Sequence, residues 1–333
     1  MHTYHLTQWL LFFFFYSFVG WVWECCYVSA RKHRWINRGF MHGPMLPIYG
    51  SGAVVILAAT LEFRGDPLLV FLFGMAAATV LEYITGAVME RLFHVRYWDY
   101  SNQKFNLNGY ICASSSLCWG VFSVLLVQVV HVPVERAVLS VPAAATDGLA
   151  IVLTVAASVD FTQSFNEAMD LKHILVQLEE SRVQIRKMQE KLRATSEEVL
   201  EDYRQKADEV VAEYRARIEA LSKRNHSRKE AYLEWINMKR AQKRLQLEEL
   251  RDRAEFLMKD ELPSRVDELI GPERRESLKA LRDNIVKELH KINTRTDRSY
   301  LNIASQLRRN PTAASKRFSE ALEELREYLE QMK

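Results

Sequence analysis

The sequence predicts an all-α protein: a five-helix transmembrane bundle followed by a long cytoplasmic α-helical, coiled-coil region. Three observations predict it. Residues 1–163 carry 9 Lys+Arg and 9 Asp+Glu, whereas the rest of the 333-residue chain carries 36 and 33. Eleven of the 12 glycines precede the same break, and Gly271 alone follows it. Before the break the apolar residues form runs of roughly 17–25, the length that crosses about 30 Å of hydrocarbon as a helix. The mean hydropathy of −0.18 therefore averages two opposite solvents and describes neither. The expected organisation is a transmembrane domain over residues 1–163, a helical coiled coil over 164–262 and short amphipathic helices over 263–333.

The five expected spans are residues 8–28, 45–61, 67–89, 109–130 and 145–163. Each satisfies its own backbone hydrogen bonds as a helix, which hydrocarbon requires. The first is not read as a cleaved leader, because residues 1–7 contain no Lys or Arg and the apolar run is too long. Its cations follow it instead: Arg31, Lys32, Arg34 and Arg38. The loop between the third and fourth spans adds Arg91, Arg96 and Lys104, against only Arg64 and Arg136 in the other two loops. By the positive-inside rule the N-terminus lies outside and the long polar tail in the cytoplasm, an arrangement that needs an odd number of spans. Trp9, Trp21, Trp23, Trp35 and Trp98 near span ends suit interfacial anchoring.

In the tail, residues 166–260 contain no Pro or Gly and are dominated by strong helix formers. Leu171, Leu178, Ile185, Leu192 and Val199 recur every seven residues, and Val199, Val210 and Leu221 every eleven. That drift relaxes a left-handed supercoil. The stripe is narrow enough to suit a partner helix, within this chain or on a second copy. Arg224-Asn225-His226-Ser227 is its weakest helical point, either a hairpin turn or part of one longer helix. Pro263 and Gly271-Pro272 end the coil. Helices are then expected near 273–292, through Leu278, Leu281, Ile285 and Leu289, and over 312–331 after Asn310-Pro311.

The net charge of +3 lies wholly in the second half, where 69 charges of mixed sign make a solvated surface and not a nucleic-acid patch. Cys25, Cys26, Cys112 and Cys118 lie in apolar segments without metal-ligand spacing, so no metal or cofactor is expected. No Gly-Lys-Ser/Thr phosphate loop, and hence no intrinsic ATPase motif, occurs.

Charge at membrane depth is costly and marks function. With the expected orientation, Glu24, Glu82, Glu90 and Asp160 all fall toward the cytoplasmic leaflet. Glu82, Gly86 and Glu90 share a helix face. Arg38, His42, Arg96, Asp99 and Asn108 join them from the inner loops and the start of the fourth span, and Tyr49 from the second span. These ten residues are the candidate lining of a polar cavity for a substrate headgroup, a cation or a proton relay. Glu24, Glu90 and Asp160 also fit plain interfacial ends, and Glu82 a structural pair with Arg38 or Arg96. The four glycines and two prolines of residues 38–52 break the helix where the second span should begin. Irregular backbone at that depth is tolerated when it is buried in protein or lines a cavity, and glycine also suits close helix packing.

Tyr16–Glu24 (YSFVGWVWE), Asn37–Gly52 (NRGFMHGPMLPIYGSG), Leu81–Phe93 (LEYITGAVMERLF), Arg96–Ser101 (RYWDYS) and Asn106–Gly120 (NLNGYICASSSLCWG) together resemble the CmpB-type ABC-transporter permease family, also described as type IV ABC transporters. The resemblance implies an integral membrane permease and, without a nucleotide-binding motif here, a separate ATPase subunit. It carries over no catalytic residue and stops near residue 163. The expected partners are membrane lipids, that ATPase and a second copy of the chain through the coil. A membrane-anchored coiled-coil scaffold is the alternative. An enzyme acting on a lipid-linked substrate, with Glu82 or Asp99 as base and Arg38 or Arg96 on phosphate, is the third reading.

Overall fold

The computed structural model describes residues 4–191, 197–223, 228–256, 276, 279–288 and 297–331. The chain divides into two compact units. The first holds residues 1–172 with 305–319, and the second residues 173–304 with 320–333.

The first unit opens with α1 (Leu6–Lys32), which ends where His33 turns left-handed at φ 51°. The chain then runs back along α1. Ile36 N donates to Ser29 Oγ, Arg38 N to Cys25 Sγ and Leu46 N to the Ser17 carbonyl. Helix α2 (Pro47–Thr60) therefore starts beside the middle of α1, with Pro47 at its first turn, where a missing N–H is harmless. This explains why the second expected span is a short helix of 14 residues, extended by a 3₁₀ turn over Leu61–Phe63. The irregular stretch before it is held by protein groups, as burial demands. Gly50 lies against the Phe13 carbonyl and Ser17 Oγ, so no side chain fits between α1 and α2 there.

Helix α3 (Pro67–Phe93) is capped by Asp66, whose carboxylate accepts from Leu68 N and Leu69 N. A two-stranded antiparallel hairpin follows, β1 (Asn106–Leu107) on β2 (Ile111–Cys112). Helix α4 (Ala113–Leu125), a π-turn (Leu126–Val130) and α5 (His131–Ser140) run on as one helical stretch. The π-turn precedes Pro133, which has no N–H to give the ladder. Helix α6 (Ala143–Lys191) closes this part.

Four helical stretches are long and apolar enough to cross a membrane: Leu6–Lys32, Pro67–Phe93, Ala113–Ser140 and Ala143–Lys187, with Pro47–Phe63 a shorter apolar helix. Phe12 and Tyr16 of α1, Ile56 and Leu57 of α2, Val70 and Ala78 of α3 and Val127 of the π-turn form a core. Phe15, Phe18, Leu72, Val80, Ile84, Val152 and Val159 are exposed, while Glu82 and His131 are buried. Apolar outside and polar inside is the arrangement a membrane protein needs.

In the second unit α7 (Glu197–Lys223) packs against α8 (Arg228–Phe256). Leu178 and Ile185 of the heptad stripe are buried. Leu178 lines one pocket with Trp235 and Ile236 of α8, Tyr300 and Leu325, so the stripe has partners within this chain. Ser181 Oγ donates to Glu288, and Arg182 pairs with Glu320. The turn expected at Asn225, the breaks at Pro263 and Gly271-Pro272, and Leu192, Leu278 and Leu289 lie outside the described residues. Within the helix expected over 273–292, residues 279–288 are helical, with Leu281 and Ile285 buried.

The end of the chain departs from expectation in two ways. Helix α9 (Asp297–Arg309) was not foreseen, because its polar residues mask a short apolar face of Tyr300, Ile303, Ala304 and Leu307. The last helix, α10 (Ser319–Gln331), starts seven residues after Thr312. Residues 310–318 instead form a turn and a β-bridge, and with Ser305–Arg309 and Ser319 they belong to the first unit.

Candidate functional site

The ten candidate residues fall into three hydrogen-bonded groups, all in the first unit, with Asn108 at their edge. In the first group Glu24 of α1 accepts from Tyr49 OH at 2.7 Å and lies 3.9 Å from Arg38 Nε. The Tyr49 ring sits against Gly20 and near Trp119 of α4, their ring centroids 6.1 Å apart. Glu82 accepts from Trp119 Nε1 at 3.1 Å, from Tyr100 OH at 3.2 Å and from Ser115 Oγ at 3.4 Å. Glu82 is 6% exposed. Its partners come from the loop after α3 and from α4, and all are neutral. The structural alternative, a pair of Glu82 with Arg38 or Arg96, is not formed: both arginines are engaged elsewhere.

The second group surrounds Arg96, which is 6% exposed. Its Nη2 lies 2.8 Å from Glu90 Oε2 and its Nη1 3.1 Å from Asp99 Oδ1, and the guanidinium stacks over Tyr110 with its carbon 4.9 Å from the ring centre. Tyr110 OH also donates to Glu90. The hydrogen bonds of Glu90 push the Arg96 guanidinium upward from its ordinary pKa. Burial works against ionisation of Asp99, but the Ser101 hydroxyl and backbone N–H together with Arg96 outweigh it and hold the carboxyl below its ordinary range. Gly109 closes this group at φ +77°, a conformation costly for any side chain. A Cβ there would meet Arg96 Nη1 and Ser101 Oγ at 2.5 Å and Asp99 Oδ1 at 2.6 Å. Gly109→Ala is expected to lower stability by about 1–2 kcal/mol from backbone strain alone, with further loss from displacing the ion pair. A melting temperature in detergent checks this, and an unchanged value contradicts it. Asn108 is exposed and donates to Tyr83 OH at 2.9 Å, outside both groups.

The third group joins His42 to α6. Asp160 accepts from the backbone N–H groups of His42 and Gly43 at 3.0 and 2.7 Å. The imidazole lies between two carboxylates, with Nδ1 3.0 Å from Asp160 and Nε2 3.0 Å from Glu167. The imidazolium supplies an N–H to each, the neutral ring to one.

Residues 305–319 are attached to this same set of loops. Arg309 Nη2 pairs with Glu167 Oε2 at 2.8 Å, both side chains 8% exposed. Gln306 donates to the Ser164 carbonyl, and Asn310 Nδ2 to that of Gly39. Arg38 donates to Asn310 Oδ1 at 2.9 Å and to Thr312 Oγ1 and the Tyr97 carbonyl at 3.2 Å. Ala314 exchanges two backbone hydrogen bonds with Arg96, at 2.7 and 2.8 Å, and Ser315 Oγ donates to the His94 carbonyl.

Sequence reasoning missed Glu167, Arg309, Asn310, Tyr100 and Trp119. A signal existed for Glu167: Asp160, Ser164 and Glu167 stand four and then three residues apart on one helix face. It also missed a second polar cluster. His131 is fully buried, with Nδ1 2.9 Å from Tyr16 OH and Nε2 3.3 Å from Tyr4 OH. Tyr4 donates to Glu135, which pairs with Arg64 at 2.9 Å. Among the described residues no group of three or more His, Cys, Asp and Glu could hold a metal ion.

No curated protein and no solved structure matches the chain. Residues 11–165, which carry α1 to α5, the hairpin and Asp160, match the model of the family described as "Putative ABC-transporter type IV", the family that the five sequence blocks resemble.

Proposed function

We propose that the chain is a permease-like membrane subunit of an ABC transporter, with a polar site on the cytoplasmic side and the ATPase on a separate polypeptide. The reading places five crossings in the bilayer, α2 completing its crossing with the irregular stretch before it, and puts the N-terminus outside. The distribution of Lys and Arg between the loops supports that orientation. The observation that carries the functional reading is Glu82. Among the described residues, this carboxylate, 6% exposed inside an apolar bundle, is held by neutral donors with no structural ion pair to explain it. Purification of the tagged chain from native membranes tests the reading. An ATP-hydrolysing polypeptide in comparable amount is expected. A chain recovered alone, with no ATP hydrolysis in the eluate, contradicts it.

A membrane-anchored scaffold is the second reading, favoured by the long helices beyond the family match. Residues 205–220 of α7 have no buried side chain, which leaves that helix a face for a second copy of the chain.

A further inference from the structure

Six carboxylates gather in the three groups of the first unit: Glu24, Glu82, Glu90, Asp99, Asp160 and Glu167. Bundle and loops answer five of them, all but Glu82, with two arginines, Arg38 and Arg96, and one imidazole, His42. The segment Ser305–Ser319 supplies the rest. It carries Arg308, Arg309, Lys316 and Arg317 and no Asp or Glu. Its Arg309 enters between α6 and the loop before α2, donating to Glu167 at 2.8 Å and to the Phe40 carbonyl at 3.4 Å. The fit is incomplete, because Arg309 Nε is buried with no hydrogen-bond partner among the described residues. An ion pair this well buried is weak evidence for stability, since desolvation offsets most of the attraction, and position or switching is its best-attested use.

We propose that residues 305–319 are a tethered stopper, with the Arg309 guanidinium occupying a site beside Glu167 and Asp160 that takes an organic cation bearing a guanidinium or ammonium group. The inference rests on the permease reading and names the class of solute and the regulation of its site. Removing Arg309 leaves Glu167 sharing only His42, so the acidic excess favours a cation over any anion. The segment's other holds are the hydrogen bonds that Arg38 donates to Asn310 and Thr312, those of Gln306, Asn310 and Ser315 to main-chain carbonyls, the backbone pairing of Ala314 with Arg96, and the burial of Ala313 and Phe318.

The test is amide hydrogen exchange on the full chain in lipid nanodiscs, using methylguanidinium as probe. The Arg309→Ala variant first fixes the concentration at which the probe binds. At that concentration the wild-type Arg96 and Ala314 amides, which pair the segment to the bundle, are expected to exchange at least tenfold faster. Amides in α1 and α3 are expected to stay unchanged, which also shows that the variants are folded. In Glu167→Gln the probe is expected to change nothing. Wild-type amides indifferent to the probe, or an equal response in Glu167→Gln, overturn the proposal. The readout involves neither ATP nor transport, so the stopper and the permease reading fail in separate experiments.

Discussion

Glu82→Gln is expected to abolish function while leaving the fold intact. Glu82 Oε2 accepts from Ser115 and Trp119, and Oε1 accepts from Tyr100. A glutamine keeps its oxygen at the first position and presents its NH₂ to Tyr100, whose hydroxyl rotates to accept. Insertion and melting temperature should therefore match wild type. The substitution removes the ability to carry charge or a proton, which the permease reading requires of this position. A loss of at least tenfold in the ATP hydrolysis of the co-purified complex, about 1.4 kcal/mol, is expected. Wild-type hydrolysis would make Glu82 a structural acceptor. Glu82→Leu provides the contrast. It strands three donors, at about 1–3 kcal/mol for each one that is left buried and unmet, so it should lower yield as well as activity.

Arg96→Met is expected to be the most damaging change to stability. Arg96 neutralises Glu90 and Asp99 and stacks on Tyr110. Its loss leaves two carboxylates without their cation. Fully buried, that would cost about 3–5 kcal/mol, but the Glu90 and Asp99 side chains are 22% and 27% exposed, so solvent reduces it. A loss of about 2–3 kcal/mol is expected, read as a lower melting temperature in detergent. The pH dependence has a definite sign. Asp99 is held below its ordinary range, so its contribution is present above that range and is lost as pH falls through the depressed value. In Arg96→Met the Asp99 carboxyl loses one of the groups that depress it, and the acid limb of the stability profile should move to higher pH. An unmoved acid limb would show that Ser101 alone sets the Asp99 environment.

The membrane half was legible because hydrocarbon imposes long apolar helices, and apolar runs are visible without any knowledge of packing. The glycine and proline cluster before α2 likewise announced irregular backbone. It did not announce that the chain runs back along α1 to Ser17, which depends on tertiary hydrogen bonds. The ten candidate residues were chosen as polar groups at the expected inner depth or in the inner loops. Their partners were not, because Tyr100 and Trp119 look like interfacial aromatics until α3 and α4 are placed side by side. Residues 312–318 are expected to begin the last helix, after Asn310-Pro311. The pairing of Ala314 with Arg96 overrides that local preference across more than 200 residues of sequence, a distance that no periodicity reports. Of the seven-residue stripe, Leu171, Leu178 and Ile185 are buried within this chain.

The central claim is that the three polar groups around Glu82, Arg96 and His42 lie on the cytoplasmic side together with the tail. Thiol labelling in intact cells tests it most directly, with the unsubstituted chain as the blank for native cysteines. Ala137→Cys at the exposed end of α5 should react with an impermeant maleimide from outside. Glu323→Cys on α10 should react only after permeabilisation. Labelling of Glu323→Cys in intact cells, with Ala137→Cys protected, would contradict the account.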